Sequence, residues 1–577
     1  MLLSGSALSR LAREHIAFLV LWLLVGVLLF ADLGGDYLWA DEGDTAVLAS
    51  AVLDTGVPRA WDGVTFSDSD LGQRVNDDLV MVSHPWLQYY VVAASFAIFG
   101  ETTFAARLPF AIAGWLTLPL LYALVLRVTG DRRSAWTSAL LLGVSVQFLL
   151  FARQSRNYAL YTWLACALVW LFLRLRDWKG GVAFAGAAIA LFHTNPAGLA
   201  LVAGLGLLTL LYRPCVPYRR WFWRAMPLVG ALTVPWLFIA QSGYAENTDL
   251  TPTMARLGPR LLQFLIEWAS VAPAIGVVVL LAFVVARHAR QPHDARPRRL
   301  FTPGEHLLLM LVAATFVSYA AMMAVSQSRS QMWSLGLRYA IPALVMTMAA
   351  AGVLAVKASA GRPLLFAGIV MALSVTQIGR LQPWTLLQDE PTPLRSRAIA
   401  MMHVPTHWLA ALIRFAPLAF ARDLVDENPG TLAAVSQYLN AHASPGDIVI
   451  TNYEWEPLYF HTQLPQGFKI LPQYPIRDAA RRAGLPDYVF SVRGARWVVW
   501  RWPWDGYQQY RWDDVSARLR AQGATLVRVK TVPETAWENR ANVHFRRFPG
   551  RQYLFETPQV VGLRDADIYR VDWPPPR

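Results

Sequence analysis

Two adjacent carboxylates, Asp41 and Glu42, follow the first apolar run of this chain and stand directly after Tyr37-Leu38-Trp39. Tyr and Trp concentrate where a membrane meets water, so the pair is expected at a membrane edge. A carboxylate held against an apolar rim is partly desolvated, and it can accept a proton from a substrate lying in the membrane. The surroundings are acidic too. Residues 34–86 also hold Asp36, Asp44, Asp54, Asp62, Asp68, Asp70, Asp77 and Asp78, against only Arg59 and Arg74. Most of these read as the solvated surface of a loop, and Asp41-Glu42 is set apart by its place at the edge. The stretch 45–53 that follows reads as a short amphipathic helix lying on the membrane.

The elements that must position this pair are apolar helices. Of 577 residues, 55% are hydrophobic and 16% charged, where a soluble protein would carry about a quarter charged. Apolar runs of roughly 16–23 residues, the length that crosses about 30 Å of hydrocarbon, fill residues 16–380. Residues 385–577 have mixed charge and no such run. The expected fold class is therefore a polytopic α-helical membrane domain (1–380) followed by a soluble C-terminal α/β domain (381–577). The first run reads as an uncleaved span. Cys166 and Cys215 lie in or beside apolar segments and form no disulfide or metal framework.

Charge sets the topology. The net charge of +13 does not point to nucleic acid, because the basic residues sit in short clusters between apolar runs. Such clusters stay in the cytoplasm. Arg10 and Arg13 place the N-terminus there. The later clusters are Arg127/Arg132/Arg133, Arg174/Arg176/Lys179, Arg213/Arg219/Arg220/Arg224, Arg287 through Arg299, and Lys357/Arg362. All fall on the cytoplasmic side only if 87–99 lies along the interface or re-enters. About eleven spans result: roughly 16–33, 107–127, 134–151, 157–173, 181–195, 197–212, 225–241, 269–288, 305–325, 339–356 and 363–379. The outer face then consists of the loop 34–106, turns near 152–156 and 193–196, the loops 242–268 and 326–338, and everything after 380.

Several motifs fall on that face in order. They are Trp39-Ala40-Asp41-Glu42, then His84-Pro85-Trp86-Leu87-Gln88-Tyr89-Tyr90, Phe99-Gly100 and Ala106-Arg107-Leu108-Pro109. After these come Arg153-Gln154-Ser155-Arg156-Asn157-Tyr158, Phe192-His193-Thr194 and Leu337-Arg338-Tyr339-Ala340-Ile341-Pro342. In order and spacing the chain resembles the GT-C superfamily of polyprenyl-phosphate-dependent glycosyltransferases over about residues 16–380. It is most similar to the protein O-mannosyltransferase branch and the bacterial lipid A aminoarabinose transferases.

The resemblance implies an inverting transfer of one sugar from a polyprenyl monophosphate to an acceptor protein, lipid or glycan outside the cytoplasm. The location implied is the bacterial inner membrane. One base must take the acceptor proton, and cations must hold the phosphate as charge develops on it. By resemblance Asp41 is the base and Glu42 a supporting carboxylate or the partner of an arginine. Donor phosphate and sugar would fall to His84, Arg107, Arg153, Arg156, Tyr158, His193, Arg338 and Tyr339, with Arg329 a further cation. An arginine at a span end can instead be an interfacial anchor. His84 stands where the aminoarabinose transferases carry Lys before Pro. The acidic loop and histidines could also supply hard ligands to a divalent metal, but no spacing demands one.

The C-terminal part reads as alternating helix and strand: helices at 431–442 and 513–522, strands at 448–451, 496–500 and 525–529, and further strands near 552–556 and 567–571. No Gly-rich phosphate loop precedes a helix there, so no cofactor is expected. Trp502-Pro503-Trp504-Asp505-Gly506-Tyr507 is superficially similar to the Trp-Trp-Asp motif of oligosaccharyltransferases, with a proline in the middle. That makes an oligosaccharyltransferase-like enzyme one alternative. A transporter or flippase of a lipid-linked sugar is another, but it should show inverted repeats and ionisable residues at mid-membrane, and neither is evident. A structural or assembly factor is a third reading, and its outer loop would not need a carboxylate–arginine constellation.

Overall fold

The computed structural model describes residues 5–67, 74–239, 254–290, 299–326, 336–381, 416–425, 430–452, 455–462, 468–469, 484–485, 491–501, 512–533 and 565–575. Asp68, Asp70, Arg329, the 502–507 motif and the strand expected near 552–556 lie outside these residues.

Helix α1 (Gly5–Phe30) opens the bundle. Its Ile16, Val20, Leu23 and Val27 are exposed, spaced to form one apolar face. Helix α2 (Ala40–Thr55) is longer than the 45–53 helix expected, and it takes Asp41 and Glu42 into its first turn. Two effects extend it. Glu42 Oε2 accepts the Trp39 N–H at 3.3 Å, reaching back over the helix start. Carboxylates are also favoured at the positive end of a helix. Gly56, at φ +79°, closes the other end.

The segment after α2 is folded, not an open solvated loop. Bridges join Arg59 to Val80, Trp61 to Phe66 and Val75 to Met81, around a small core of Ala60, Phe66, Val75, Leu79 and Leu485.

Helix α3 (Leu87–Phe99) has 13 residues, or roughly 20 Å by helical rise. That is short of the hydrocarbon thickness. Helix α4 (Thr103–Thr129) starts where the Thr102 hydroxyl accepts the Ala105 N–H. The single span expected over 134–151 is two helices, α5 (Arg132–Gly143) and α6 (Val146–Ala152), bent by 67°. The bend ends α6 at the turn that carries Arg153 to Asn157. Helices α7 (Tyr158–Phe172), α8 (Trp178–Thr194), α9 (Gly198–Leu211) and α10 (Val216–Ile239) follow. Helices α11 (Met254–Val271) and α12 (Ala274–Ala289) meet at 89°. The second half of the loop expected over 242–268 is therefore helical. Next come α13 (Pro303–Ser326), α14 (Ile341–Ser359) and α15 (Pro363–Val375).

Helix α14 is the spindle of the bundle, buried along almost its whole length. Small residues allow the close approach, as is common between helices in a membrane. A Cβ at Gly352 would run into Ser138 of α5, and one at Gly114 of α4 into Ala152 of α6. Cys166 and Cys215 are free and buried. Among the described residues, four helices are long and apolar enough to cross a membrane: Thr103–Thr129, Arg213–Ile239, Pro303–Val325 and Arg338–Ser359. The two bent pairs raise the number to six.

Beyond the bundle, α16 (Ala416–Asp423) and α17 (Gly430–His442) lead into a five-stranded sheet of order β2-β1-β3-β5-β4. Its strands are β1 (Ile448–Thr451), β2 (Phe468–Lys469), β3 (Ala495–Arg501), β4 (Thr525–Val532) and β5 (Ala566–Asp572). β1 runs parallel to β2 and β3, while β5 runs antiparallel to β3 and β4. Alternate residues of β3 serve opposite cores. Trp497 and Val499 join Val435 and Leu439 of α17, and Leu458 of α18 (Trp455–His461), on one face. Val498 and Trp500 join Val515 and Leu519 of α19 (Trp512–Ala521) on the other.

Helix α18 docks this layer onto the bundle beside the start of α2. His461 Nε2 accepts the Leu38 N–H at 2.9 Å, and its ring stacks on Tyr37 at 4.0 Å. The Tyr459 hydroxyl donates to Asp62 at 2.6 Å.

Candidate active site

The first turn of α2 splits its two carboxylates. Consecutive helical residues point about 100° apart, so Glu42 turns inward and Asp41 outward. The Glu42 side chain is 1% exposed. Arg107 on α4 holds it in a fork, Nε to Oε1 at 2.9 Å and Nη2 to Oε2 at 2.6 Å. The Ser155 N–H adds a bond to Oε1 at 2.7 Å. Arg107 also donates to the carbonyls of Leu33, Asp36 and Tyr37. Glu42 thus ties together the chain leaving α1, the start of α2, α4 and the turn after α6.

Asp41 has 28% of its side chain exposed. Its Oδ2 faces Arg338 Nη1 at 3.4 Å and Arg156 Nη2 at 3.6 Å. Oδ1 has no partner among the described residues. Arg156 is fixed by the start of α2, with Nη1 donating to the Asp41 carbonyl at 3.0 Å and to Thr45 Oγ1 at 3.1 Å. Arg338 precedes the buried α14, and its Nη2 donates to the Tyr339 hydroxyl at 3.1 Å. The Nε–H of each guanidinium is buried and unpartnered.

Burial is the strongest single influence on Arg156 and pulls its pKa down, but Asp41, Tyr158, Asp44 and Tyr89 together carry it above the ordinary arginine value. The charge is therefore locked in. A second shared contact runs from Arg156 to Asp44 at 3.6 Å, and Arg74 pairs with the same Asp44 at 2.9 Å. Three guanidiniums thus face two carboxylates, which leaves an excess of positive charge suited to an anion.

The site expectations divide on this geometry. Asp41, Arg156, Arg338, Tyr158 and Tyr339 come together, with the Tyr158 and Tyr339 rings edge to face at 6.4 Å. Glu42 is the arginine partner, not a second group facing substrate. Arg107 is corrected as a phosphate ligand: all five of its N–H groups already donate within the protein. Arg153 is likewise a structural cap. It donates to the carbonyls of Leu28, Leu29, Ala31 and Asp32, where α1 ends and its last acceptors need partners. His193 has Nε2 3.0 Å from the Leu232 carbonyl and its ring against Phe192 and Trp236, and none of these contacts is to Asp41, Arg156 or Arg338.

His84 is brought to the site but not as a cation. Burial first, then Arg74, Arg156 and Arg338, hold its pKa well below the ordinary histidine value. A neutral imidazole can donate one hydrogen bond to an anion but brings no charge. Its Nδ1 lies 2.9 Å from Ser83 Oγ.

Sequence reasoning missed Asp44 and Arg74, which pair across 30 positions inside a segment read as solvated. It also missed a run of buried neutral groups beside Arg156. Gln154 has its whole amide unpartnered, as are Asn157 Oδ1, Ser155 Oγ and Gln147 Nε2. Buried polar atoms in this state call for water or a ligand. Among the described residues, no three His, Cys, Asp or Glu side chains converge as a metal site.

Bundle and sheet layer together define a fold that solved membrane-protein structures share. The chain superposes on ArnT from Cupriavidus metallidurans bound to undecaprenyl phosphate with a TM-score of 0.53 and 14% identity, covering 96% of this chain and 98% of that one. The apo form of the same enzyme gives 0.53 at 15% identity, with the same coverage. Within that fold, residues 83–242 match the family model described as dolichyl-phosphate-mannose-protein mannosyltransferase. An uncharacterized protein of Aquifex aeolicus (strain VF5) is 26% identical over 229 residues, or 39% of this chain. The match spans 43% of that relative's own length.

Proposed function

We propose that this chain is an inverting glycosyltransferase that moves a single sugar from a polyprenyl-phosphate donor to an acceptor on the extracytoplasmic face of the bacterial inner membrane. The observation that carries the reading is Asp41, tethered through Oδ2 between Arg156 and Arg338 with Oδ1 unengaged. In this reading Oδ1 takes the proton of the acceptor hydroxyl. The acceptor oxygen attacks the anomeric carbon, the bond from that carbon to the phosphate oxygen breaks, and the phosphate leaves with the electron pair. Arg156 and Arg338 meet the growing charge with N–H groups fixed before the reaction, which is the most effective form of such stabilisation. The neutral groups of Gln154, Asn157 and Ser155 suit sugar hydroxyls. ArnT, whose fold this chain shares, was crystallised with undecaprenyl phosphate, a lipid of the class proposed.

The shorter apolar helices His15–Phe30, Tyr158–Phe172, Gly198–Leu211 and Pro363–Val375 join the longer ones in about eleven crossings. Leu87–Phe99 lies at the outer interface. Residues 1–380 form the catalytic membrane domain and 381–577 an extracytoplasmic one.

The test is Asp41→Asn in a deletion strain whose envelope glycans are read by mass spectrometry. Wild type restores the missing sugar. Asp41→Asn folds and is stabilised by undecaprenyl phosphate as wild type is, but restores none. Full restoration by Asp41→Asn would remove Asp41 as the base.

A further inference from the structure

A second constellation lies at the other end of the bundle. Helices α1, α4, α5, α14 and α15 enclose a cavity of about 470 Å³. Its distance from Asp41 follows from helical rise. Arg107 holds Glu42 near one end of α4, and Tyr122, fifteen residues along the same helix, lines the cavity roughly 22 Å away. α14 likewise begins just after Arg338, and its last turn lines the cavity through Val356 and Ser359.

The lining has two chemistries. Phe18, Trp136 and Phe366 give it an aromatic wall, while Arg132, Arg133 and Arg362 give it a cationic rim. Arg132 and Arg133 stand in the first turn of α5, and Arg362 is the N-cap of α15. The N-terminus of α15, the positive end of its dipole, therefore reaches the cavity together with the guanidiniums. Among the described residues, no acidic side chain lines it. Asp131, the neighbouring carboxylate in the chain, is turned onto its own helix and accepts the Arg133 and Ser134 N–H groups. Lys357 beside it is already paired with Glu305 at 2.7 Å. The Arg133 and Arg362 side chains have no partner among the described residues. Ile16 and Leu19 on α1 and Leu364 on α15, next to lining residues in sequence, are exposed apolar side chains, so the cavity borders apolar surface.

An aromatic wall is superfluous for a small soluble anion, and a cationic rim is superfluous for an acyl chain. A ligand that uses both has a phosphate at one end and hydrocarbon at the other. We infer that this cavity binds an anionic glycerophospholipid, with its phosphate on Arg133 and Arg362 and an acyl chain along Phe18, Trp136 and Phe366. Basic pockets between spans are a recurrent way of holding such headgroups. The site is separate from the sugar-transfer site and does not depend on it.

The test is native mass spectrometry of the full-length protein, titrated with phosphatidylglycerol, with phosphatidylcholine of the same chains, and with glycerol 3-phosphate. Phosphatidylglycerol is expected to stay bound, while the other two are lost. The double variant Arg133→Gln/Arg362→Gln should weaken its retention on the order of 30-fold, at about fivefold per arginine. Arg133→Lys/Arg362→Lys should keep most of it. Asp41→Asn should retain the lipid fully, which separates this site from the transfer reading. Equal retention of phosphatidylcholine would overturn recognition of the phosphate charge. Equal retention of glycerol 3-phosphate would overturn the lipid, and an unchanged Gln variant would overturn the location.

Discussion

Arg107 and Arg338 have the same side chain and look alike as candidates for holding a phosphate, yet the structure surrounds them differently. Arg107 is saturated and faces a fully buried carboxylate. Arg107→Ala leaves Glu42 buried without its partner, a kind of loss that costs roughly 3–5 kcal/mol. The expected result is a lowered melting temperature at every donor concentration. Arg338→Gln leaves no such orphan, because Asp41 is partly exposed and keeps Arg156. It should melt close to wild type but bind undecaprenyl phosphate about ten- to a hundredfold more weakly, the range for losing a hydrogen bond to a charged group. A thermal-shift titration of both variants reads the two outcomes side by side. Asp41 was legible in the sequence because the edge of an apolar run marks it. The difference between Arg107 and Arg338 was not. It rests on the carbonyls of Leu33, Asp36 and Tyr37, which carry no side-chain signal and which only the fold brings to Arg107.

Helix α2 is held from both sides, by α4 through Glu42 and by α18 through the sheet layer. Gly43 is the contact with α18, and a Cβ there would meet the backbone nitrogen and ring of Pro457. Neither can swing aside as a long side chain could. Gly43→Ala should therefore cost about 1–3 kcal/mol and open the α2–α18 contact to limited proteolysis.

The same joint carries a pH dependence. Burial first, then Arg107, lower the His461 pKa from its ordinary 6.5 to about 3, so its Nε2 stays unprotonated and accepts the Leu38 N–H. The unfolded chain binds that proton more readily than the folded one. Stability from this contact is thus complete above about pH 6.5 and is lost progressively as pH falls toward 3. His461→Gln, which keeps an acceptor without a titrating group, should flatten the melting temperature over that window. His84 shifts in the same direction, so the flattening should be partial. At this scale the sequence showed strands at 448–451, 496–500, 525–529 and near 567–571, which the structure draws as Ile448–Thr451, Ala495–Arg501, Thr525–Val532 and Ala566–Asp572. It did not show the bend that splits α5 from α6, where Gly143 and Ser145 flank the break but the apolar run continues through it.

Across the whole molecule, α14 joins the two ends where charge gathers. One end presents Arg338 to Asp41, and the other borders the cavity rimmed by Arg133 and Arg362. The apolar lengths and basic clusters made the membrane class readable from composition alone. The count of crossings is harder to read, since several helices are shorter than a bilayer and two pairs are sharply bent. The sheet layer has a consequence of its own for what can be recognised there. A bare sheet edge invites an incoming polypeptide to add itself as one more strand. Of β2, Phe468 and Lys469 are the described residues. At the opposite edge β4 has an irregular register between Arg528 and Lys530, and Arg528 is 62% exposed. At the β4 edge an exposed charge disfavours pairing with an incoming strand, so a polypeptide acceptor arriving there would have to be read through its side chains.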